Sequence, residues 1–222
     1  MDLIPQFIDI ILHLDQYLNL WIQAFGPGIY VMVFLIIFCE TGLVITPFLP
    51  GDSILFTLGT MTAVDGAYLS LPLLCVLLVT AGVIGDAANY TIGRFAGAKL
   101  FSNPDSKFFR RDYLERTQLF YEKHGGKTII LARFIPIVRT FAPFVAGMAK
   151  MNYPKFFGFN VVGAASWVVL FLVAGAFFGH QPYVKNNFHL VIFAIIVMSF
   201  VPVALEFVKA KRNRGASASK AN

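Results

Sequence analysis

Between residues 6 and 23, polar side chains recur at steps of three and four (Gln6, Asp9, His13, Gln16, Asn19, Gln23), leaving Phe7, Ile11, Leu14, Leu18 and Ile22 on one face. This period predicts an amphipathic helix over 6–25. The acids on its polar face make it a poor span and a better interfacial helix. Gly26-Pro27-Gly28 breaks it. Residues 29–46 are then apolar except for Glu40, and they are long enough to cross a bilayer, which takes about 20 residues. The following stretch, 47–64, is apolar but interrupted by Pro47, Pro50, Gly51 and Asp52, too broken for a straight span. A re-entrant hairpin fits, because non-helical backbone at membrane depth must be buried in protein or line a wet cavity. Residues 69–93 form the next span, with Asp86 and Asn89 near its end.

The one long polar stretch is 94–127, where eight basic residues stand against four acids. Asp112, Glu115, Arg116 and Glu122 suggest a surface helix over 112–123, closed by Gly125-Gly126. A second broken apolar segment, 128–150, holds Arg133, Pro136, Arg139 and Pro143 and repeats the character of 47–64. Residues 156–179 and 190–208 are further spans, and a basic tail occupies 209–222. The expected fold is an all-α polytopic membrane domain spanning 1–222. It is an inverted repeat of two halves, 29–93 and 128–208, each with a Pro/Gly-broken re-entrant hairpin. Short interrupted segments at matching positions of two halves are the best sequence pointer to a transporter's binding site. Weak echoes accompany the repeat: Gly59-Thr60-Met61 with Gly147-Met148, and the GxxxG pairs Gly93/Gly97 and Gly175/Gly179. Helix packing accounts for such pairs, and their faces would permit a homodimer.

Composition agrees with this picture. Of 222 residues, 57% are hydrophobic and 14% charged, against about 25% charged in a soluble domain. The net charge of +6 is unevenly spread: all 18 basic residues lie from Arg94 onward, while residues 1–93 carry seven acids. A basic face without a soluble body reads as a cytoplasmic membrane surface rather than a nucleic-acid site. That logic places 94–127, the tail and both termini in the cytoplasm. The first hairpin then dips in from the periplasmic side and the second from the cytoplasmic side. The N-terminus lacks the basic region of a signal peptide, so no cleaved leader is expected. Cys39 and Cys75 sit inside apolar runs and read as small buried hydrophobes.

Five ionisable side chains lie in apolar surroundings: Glu40, Asp52, Asp86, Arg133 and Arg139. Uncompensated, they would cost on the order of 15 kcal/mol at roughly 2.5–3.5 each. They must therefore pair, face water, or both. Three acids meet two arginines, which leaves one carboxylate over as a candidate proton carrier. Asp86 divides evenly between a structural and a functional role. Arg133 and Arg139 lie six apart around Pro136, and a guanidinium fork suits phosphate better than any other common ligand. Phe134, Phe141, Phe144 and Phe156 surround this hairpin; core packing is their expected role, with the wall of a passage as the alternative.

The stretch from Tyr121 through Arg133, Pro136, Arg139, Thr140, Pro143 and Gly147 closely resembles the DedA family of bacterial inner-membrane proteins. So do Glu40-Thr41-Gly42, Pro47 to Asp52, and Gly85-Asp86-Ala-Ala-Asn89-Tyr90 with Gly93-Arg94. The resemblance covers roughly residues 25–208. It implies a role in the envelope driven by the proton motive force, with flipping of undecaprenyl phosphate or a phospholipid as the activity. The family's acidic pair falls on Glu40 and Asp52, expected to couple protons, and its arginine pair on Arg133 and Arg139, expected to hold the headgroup phosphate. Asp86, Asn89, Thr140, Pro50, Gly51, Pro136 and Pro143 are the expected supporting residues.

The residues themselves lead to the same expectation: a lipid tail can stay in hydrocarbon while only the phosphate crosses, through a polar, cationic passage at mid-depth. The competing class is a small-cation/proton antiporter using Glu40 and Asp52, against which two fixed positive charges argue. An enzyme is not expected. There is no metal motif, nucleophile elbow or histidine pair, and His13, His124, His180 and His189 are dispersed. No cofactor or metal is expected, and the expected partners are a membrane lipid phosphate and protons.

Overall fold

Proline and glycine divide the chain into helices much as the pattern suggests. The computed structural model describes residues 9, 13–43, 51–63, 69–100, 126–179, 181, 182, 184, 187–195 and 197, with the side chains of 97–100, 136 and 137 left out. Seven α-helices are defined among them: α1 (Leu14–Phe25), α2 (Ile29–Gly42), α3 (Gly51–Thr62), α4 (Leu71–Leu100), α5 (Lys127–Ala132), α6 (Pro136–Met148) and α7 (Tyr153–Phe178). No strand occurs among the described residues. The approach to the first hairpin (Pro47, Pro50), the surface helix expected at 112–123 and the tail 209–222 lie outside the described residues.

The chain is a helical membrane protein. Among the described residues, three apolar stretches are long enough to cross a bilayer: Leu14–Gly42, Leu71–Ala96 and Tyr153–Phe178. Large apolar side chains such as Val31, Leu35, Val76, Ile92, Phe95, Leu170 and Phe177 point outward from them, as lipid contact requires.

The N-terminal helix differs from the expectation of a separate interfacial element. Leu14 and Leu18 are buried in the same cluster as Ile29, Val33 and Ile37. The helix ends at Phe25 as the glycines and proline predict, and Gly26, at φ +51°, leads through a 3-10 turn at Gly26–Gly28 into α2. The face read from the period is the buried face, and it is tied into the core.

The span expected over 69–93 is longer in the structure. Helix α4 continues to Leu100, so Asp86 stands at its middle and not near its end. Helix α7 begins at an Asn152 cap whose side chain accepts from the Lys155 backbone N–H at 3.2 Å, with Pro154 in the first turn. The second broken segment is a helix–break–helix. Ile135 is extended (φ −119°, ψ 106°) ahead of Pro136, the conformation that a following proline imposes, and this separates α5 from α6.

Helix α4 packs against α2, α6 and α7, and α3 lies along α7. Glycines set the crossings. A Cβ on Gly42 would press on Gly85, one on Gly59 on the α7 backbone at Leu172, and one on Gly147 on the α4 backbone at Tyr90. The reciprocal positions Gly175 and Gly93 have no room either, against Phe56 and Phe144. Backbone meets backbone at three places. Gly93, Gly175 and Gly179 are thus covered inside the chain.

Candidate functional site

Each buried charge comes from a different helix or break. Glu40 lies in the last turn of α2, Asp52 in the first turn of α3, Asp86 mid-way along α4, Arg133 at the end of α5, and Arg139 in the first turn of α6. They gather into two linked groups.

In the first group, the Arg139 guanidinium is shared by two carboxylates. Its Nη2 donates to Glu40 Oε1 and its Nη1 donates to Asp52 Oδ1 at 2.6 Å. Glu40 is fully buried and its Oε1 also accepts from the Gly51 backbone N–H at 3.1 Å. A side chain at 51 would overlap that carboxylate, so glycine is required there. Asp52 Oδ1 accepts a second bond, from the Trp167 indole Nε1–H at 2.8 Å.

In the second group, Arg133 Nη2 donates to Asp86 Oδ2, to Asn160 Oδ1 at 2.6 Å and to the Gly82 carbonyl at 3.2 Å. Asn160 is itself held by the Val83 carbonyl at 3.0 Å. Gly82 and Gly163 flank the guanidinium so closely that a Cβ on either would sit 3.3 Å from it or its stem. Asn89 binds the groups' helices together, donating to the carbonyls of Thr41 at 3.1 Å and Thr140 at 2.7 Å.

Trp167 spans the two groups. Its ring centroid is 4.8 Å from Arg139 Cζ and 5.8 Å from Arg133 Cζ, close enough for both to be held by cation–π attraction of about 0.5–2 kcal/mol. Trp167 lies 14 residues from the start of α7 and 11 from its end, roughly 21 Å and 17 Å along the axis at 1.5 Å per residue. The site is therefore mid-way through a membrane-crossing helix.

Of the expected site residues, Glu40, Asp52 and Arg139 meet directly, and Asp86 meets Arg133. Asn89, Thr140 and Gly51 hold their neighbours as described, Pro136 opens α6, and Pro143 lies inside it. Lacking an N–H, Pro143 cannot bond the Arg139 carbonyl four residues earlier, which loosens the helix where the arginine sits. Pro50 is outside the described residues. The expected open cationic passage is closed. The arginine side chains are 3% and 5% exposed and Asp52 13%, because the carboxylates fill the guanidinium forks. Three of the four phenylalanines do not wall the site. Phe134 and Phe141 point outward, and Phe156 stacks on Tyr90 at 4.5 Å in a separate core cluster. Trp167 and Asn160 were missing from the sequence reading. Asn160 carried a signal, a lone amide in an otherwise apolar span, whereas Trp167 looked like any core aromatic.

Fold and site define a polytopic helical membrane protein built around an interior network of acids and arginines. The VTT domain family matches residues 44–177. The chain is 56% identical to protein DedA of Escherichia coli over 212 residues, covering 96% of this chain and 97% of that one. It is 41% identical over 197 residues to an uncharacterized membrane protein of Mycobacterium tuberculosis, covering 87% and 86%. With inner membrane protein YqjA of Escherichia coli it shares 32% over 171 residues, covering 73% and 77%. The chain belongs to the DedA family. No solved structure matches it.

Proposed function

We propose that this protein is a transporter of the bacterial cytoplasmic membrane, driven by the proton motive force, that carries the phosphate headgroup of undecaprenyl phosphate or a phospholipid from one leaflet to the other. The observation that carries this reading is Arg139, a guanidinium at mid-depth whose two amino groups are committed to two acids, Glu40 and Asp52. A permanent cation inside a bilayer is costly and needs an anion beside it. Here the anions are groups that can each accept a proton, so protonation and anion exchange are coupled at one fork. The arithmetic of three acids to two arginines resolves locally: Asp86 is matched to Arg133, and the surplus carboxylate belongs to the Glu40–Asp52 pair.

The architecture supports the same reading. In this reading α3 and α6 are the interrupted segments of two halves related as an inverted repeat, each a part of a re-entrant hairpin. Each packs through a glycine on the long helix of the opposite half, α3 on α7 and α6 on α4. Two such crossings are suited to rocking one half against the other around a fixed site. Both termini are placed in the cytoplasm by the distribution of Lys and Arg. A cation/proton antiporter is disfavoured because Arg139 already stands between the two carboxylates and repels a metal cation. No reacting group is assigned, and the protein is not an enzyme in this reading.

The test is headgroup exposure in proteoliposomes, following the outward-facing fraction of a phosphate lipid under an imposed pH gradient. Arg139→Ala is expected to abolish gradient-dependent flipping. Arg139→Lys should restore a part of it, since a point charge replaces a planar fork. Wild-type flipping by Arg139→Ala removes the proposal.

A further inference from the structure

The turn between α6 and α7 carries a side chain that the fold does not need. Helix α6 closes as a Schellman motif: the Met151 N–H donates to the Ala146 carbonyl and the Lys150 N–H to the Gly147 carbonyl, each at 3.0 Å. That closure needs a left-handed residue at 150. Lys150, at φ +54°, is the one non-glycine residue with positive φ among the described residues. Glycine is the usual occupant of such a place, because a Cβ there crowds the following carbonyl. Both closing bonds are made by backbone, and the Lys150 side chain is exposed. Lysine strains this turn without serving either bond.

Tyr90 fixes where the lysine stands. Its hydroxyl donates to the Met151 carbonyl and its ring lies 5.4 Å from that of Tyr153, so the turn is clamped to α4. Arg94 is one turn further along α4, and a Cβ on Gly147 would lie 2.9 Å from its backbone nitrogen. Lys155 is in the first turn of α7. All three bases are exposed, and none enters an ion pair among the described residues. The described acids lie elsewhere: Asp9 and Asp15 at the start of the chain, and Glu40, Asp52 and Asp86 in the interior network. Helix α6 ends at Met148, about 14 Å along its axis from Arg139 at 1.5 Å per residue. The turn is therefore near the edge of a hydrocarbon core whose half-thickness is about 15 Å. Exposed Tyr153 suits that level, where aromatic rings with a polar tip collect.

We propose that Lys150, Arg94 and Lys155 form a docking site for the phosphate headgroup of an anionic lipid in the leaflet at this face, with its tail against Tyr153 and Phe157. Three unmatched cations at headgroup level, beside two exposed aromatic rings, complement an acidic headgroup on an apolar tail. Each such base is worth roughly fivefold in affinity for an anionic surface. The site lies outside the interior network. It binds a lipid without having to carry it, so it is independent of the transport reading.

The test pairs lipid preference with stability. Purified protein is released from micelles holding equal amounts of phosphatidylglycerol and phosphatidylcholine of the same chains, and native mass spectrometry reads the ratio retained. The wild type is expected to prefer phosphatidylglycerol and Lys150→Arg to keep that preference. Lys150→Gly should lower it about fivefold, and Arg94→Gln with Lys155→Gln by more. Without added lipid, Lys150→Gly is expected to melt at the wild-type temperature or about 2–4 °C above it, since glycine relieves the left-handed residue. A weaker preference with stability kept or raised marks a binding residue. A lower melting temperature overturns the proposal, because the lysine then serves the fold, as a charge at the end of the α6 dipole does. Equal retention of the two lipids by the wild type, or an unchanged ratio in Lys150→Gly, overturns it as well. Phosphatidylglycerol should also raise the wild-type melting temperature, and inorganic phosphate at the same concentration should not. Equal shifts would exclude the lipid as the partner.

Discussion

The backbone N–H of Gly51 donates to Glu40 Oε1 at 3.1 Å, so the first peptide of α3 is fastened to a carboxylate eleven residues earlier in the chain. Glu40 thus does two things at once. It neutralises part of Arg139 and it satisfies a backbone donor at the start of a helix, one of the groups that helices leave open. A methyl group at 51 would collide with the carboxylate. Gly51→Ala is expected to lower stability by about 1–3 kcal/mol, the usual range for overpacking, and to abolish flipping by displacing Glu40. Thermal unfolding of the purified protein gives the first number and the headgroup assay the second. An unshifted transition with full activity contradicts the geometry.

The Arg133–Asp86 pair is expected to behave as a structural clamp. Both residues are buried, and removing one partner leaves the other charge uncompensated, at a cost of about 3–5 kcal/mol. Asp86→Asn and Arg133→Met alone should each be strongly destabilising. The double variant should be less harmful than the sum, because no lone charge remains. A thermodynamic cycle on unfolding measures this coupling. Additive effects would place the two side chains in separate environments.

The glycines separate into two kinds. Gly147→Ala and Gly175→Ala force a methyl group into the backbone of the opposing helix, at Tyr90 and Phe56 respectively. Each is expected to cost at least 1–3 kcal/mol, or to abolish folded yield. Gly158, also within α7, has nothing within 4 Å of where its Cβ would lie. Gly158→Ala should be neutral or stabilising by about 0.5–1 kcal/mol from helix propensity alone. Comparing melting temperatures of the three variants tests the crossings directly.

Charge in an apolar run is conspicuous, and for that reason Glu40, Asp52, Asp86, Arg133 and Arg139 could be singled out before any fold was known. Their gathering followed from the expense of leaving them alone. The pairing did not follow: nothing in the order of residues says that Arg139 takes two acids while Arg133 takes one. Trp167 escaped because an aromatic residue in an apolar helix fits core packing, lipid contact and an interior site equally well; only its indole N–H against Asp52 decides. The extent of α4 is hidden for a related reason. Polar residues at 86 and 89 resemble the end of a span, yet their partners, Arg133 and the carbonyls of Thr41 and Thr140, are supplied by other segments. The small-residue echoes could be seen, but which seam each glycine closes depends on a crossing the one-dimensional pattern does not contain.

Contact without intervening side chains has a mechanical consequence. Where α3 lies on α7 and α6 on α4, no knob from one helix sits in a hole of the other at the glycine positions, so the surfaces are smooth there. A displacement of a few ångströms parallel to these seams meets less steric resistance there than at an interlocked leucine interface. It would carry Asp52 past the indole of Trp167, and Arg139 past its partners Glu40 and Asp52. The lubricated direction of the molecule and the line along which its charges part are then the same.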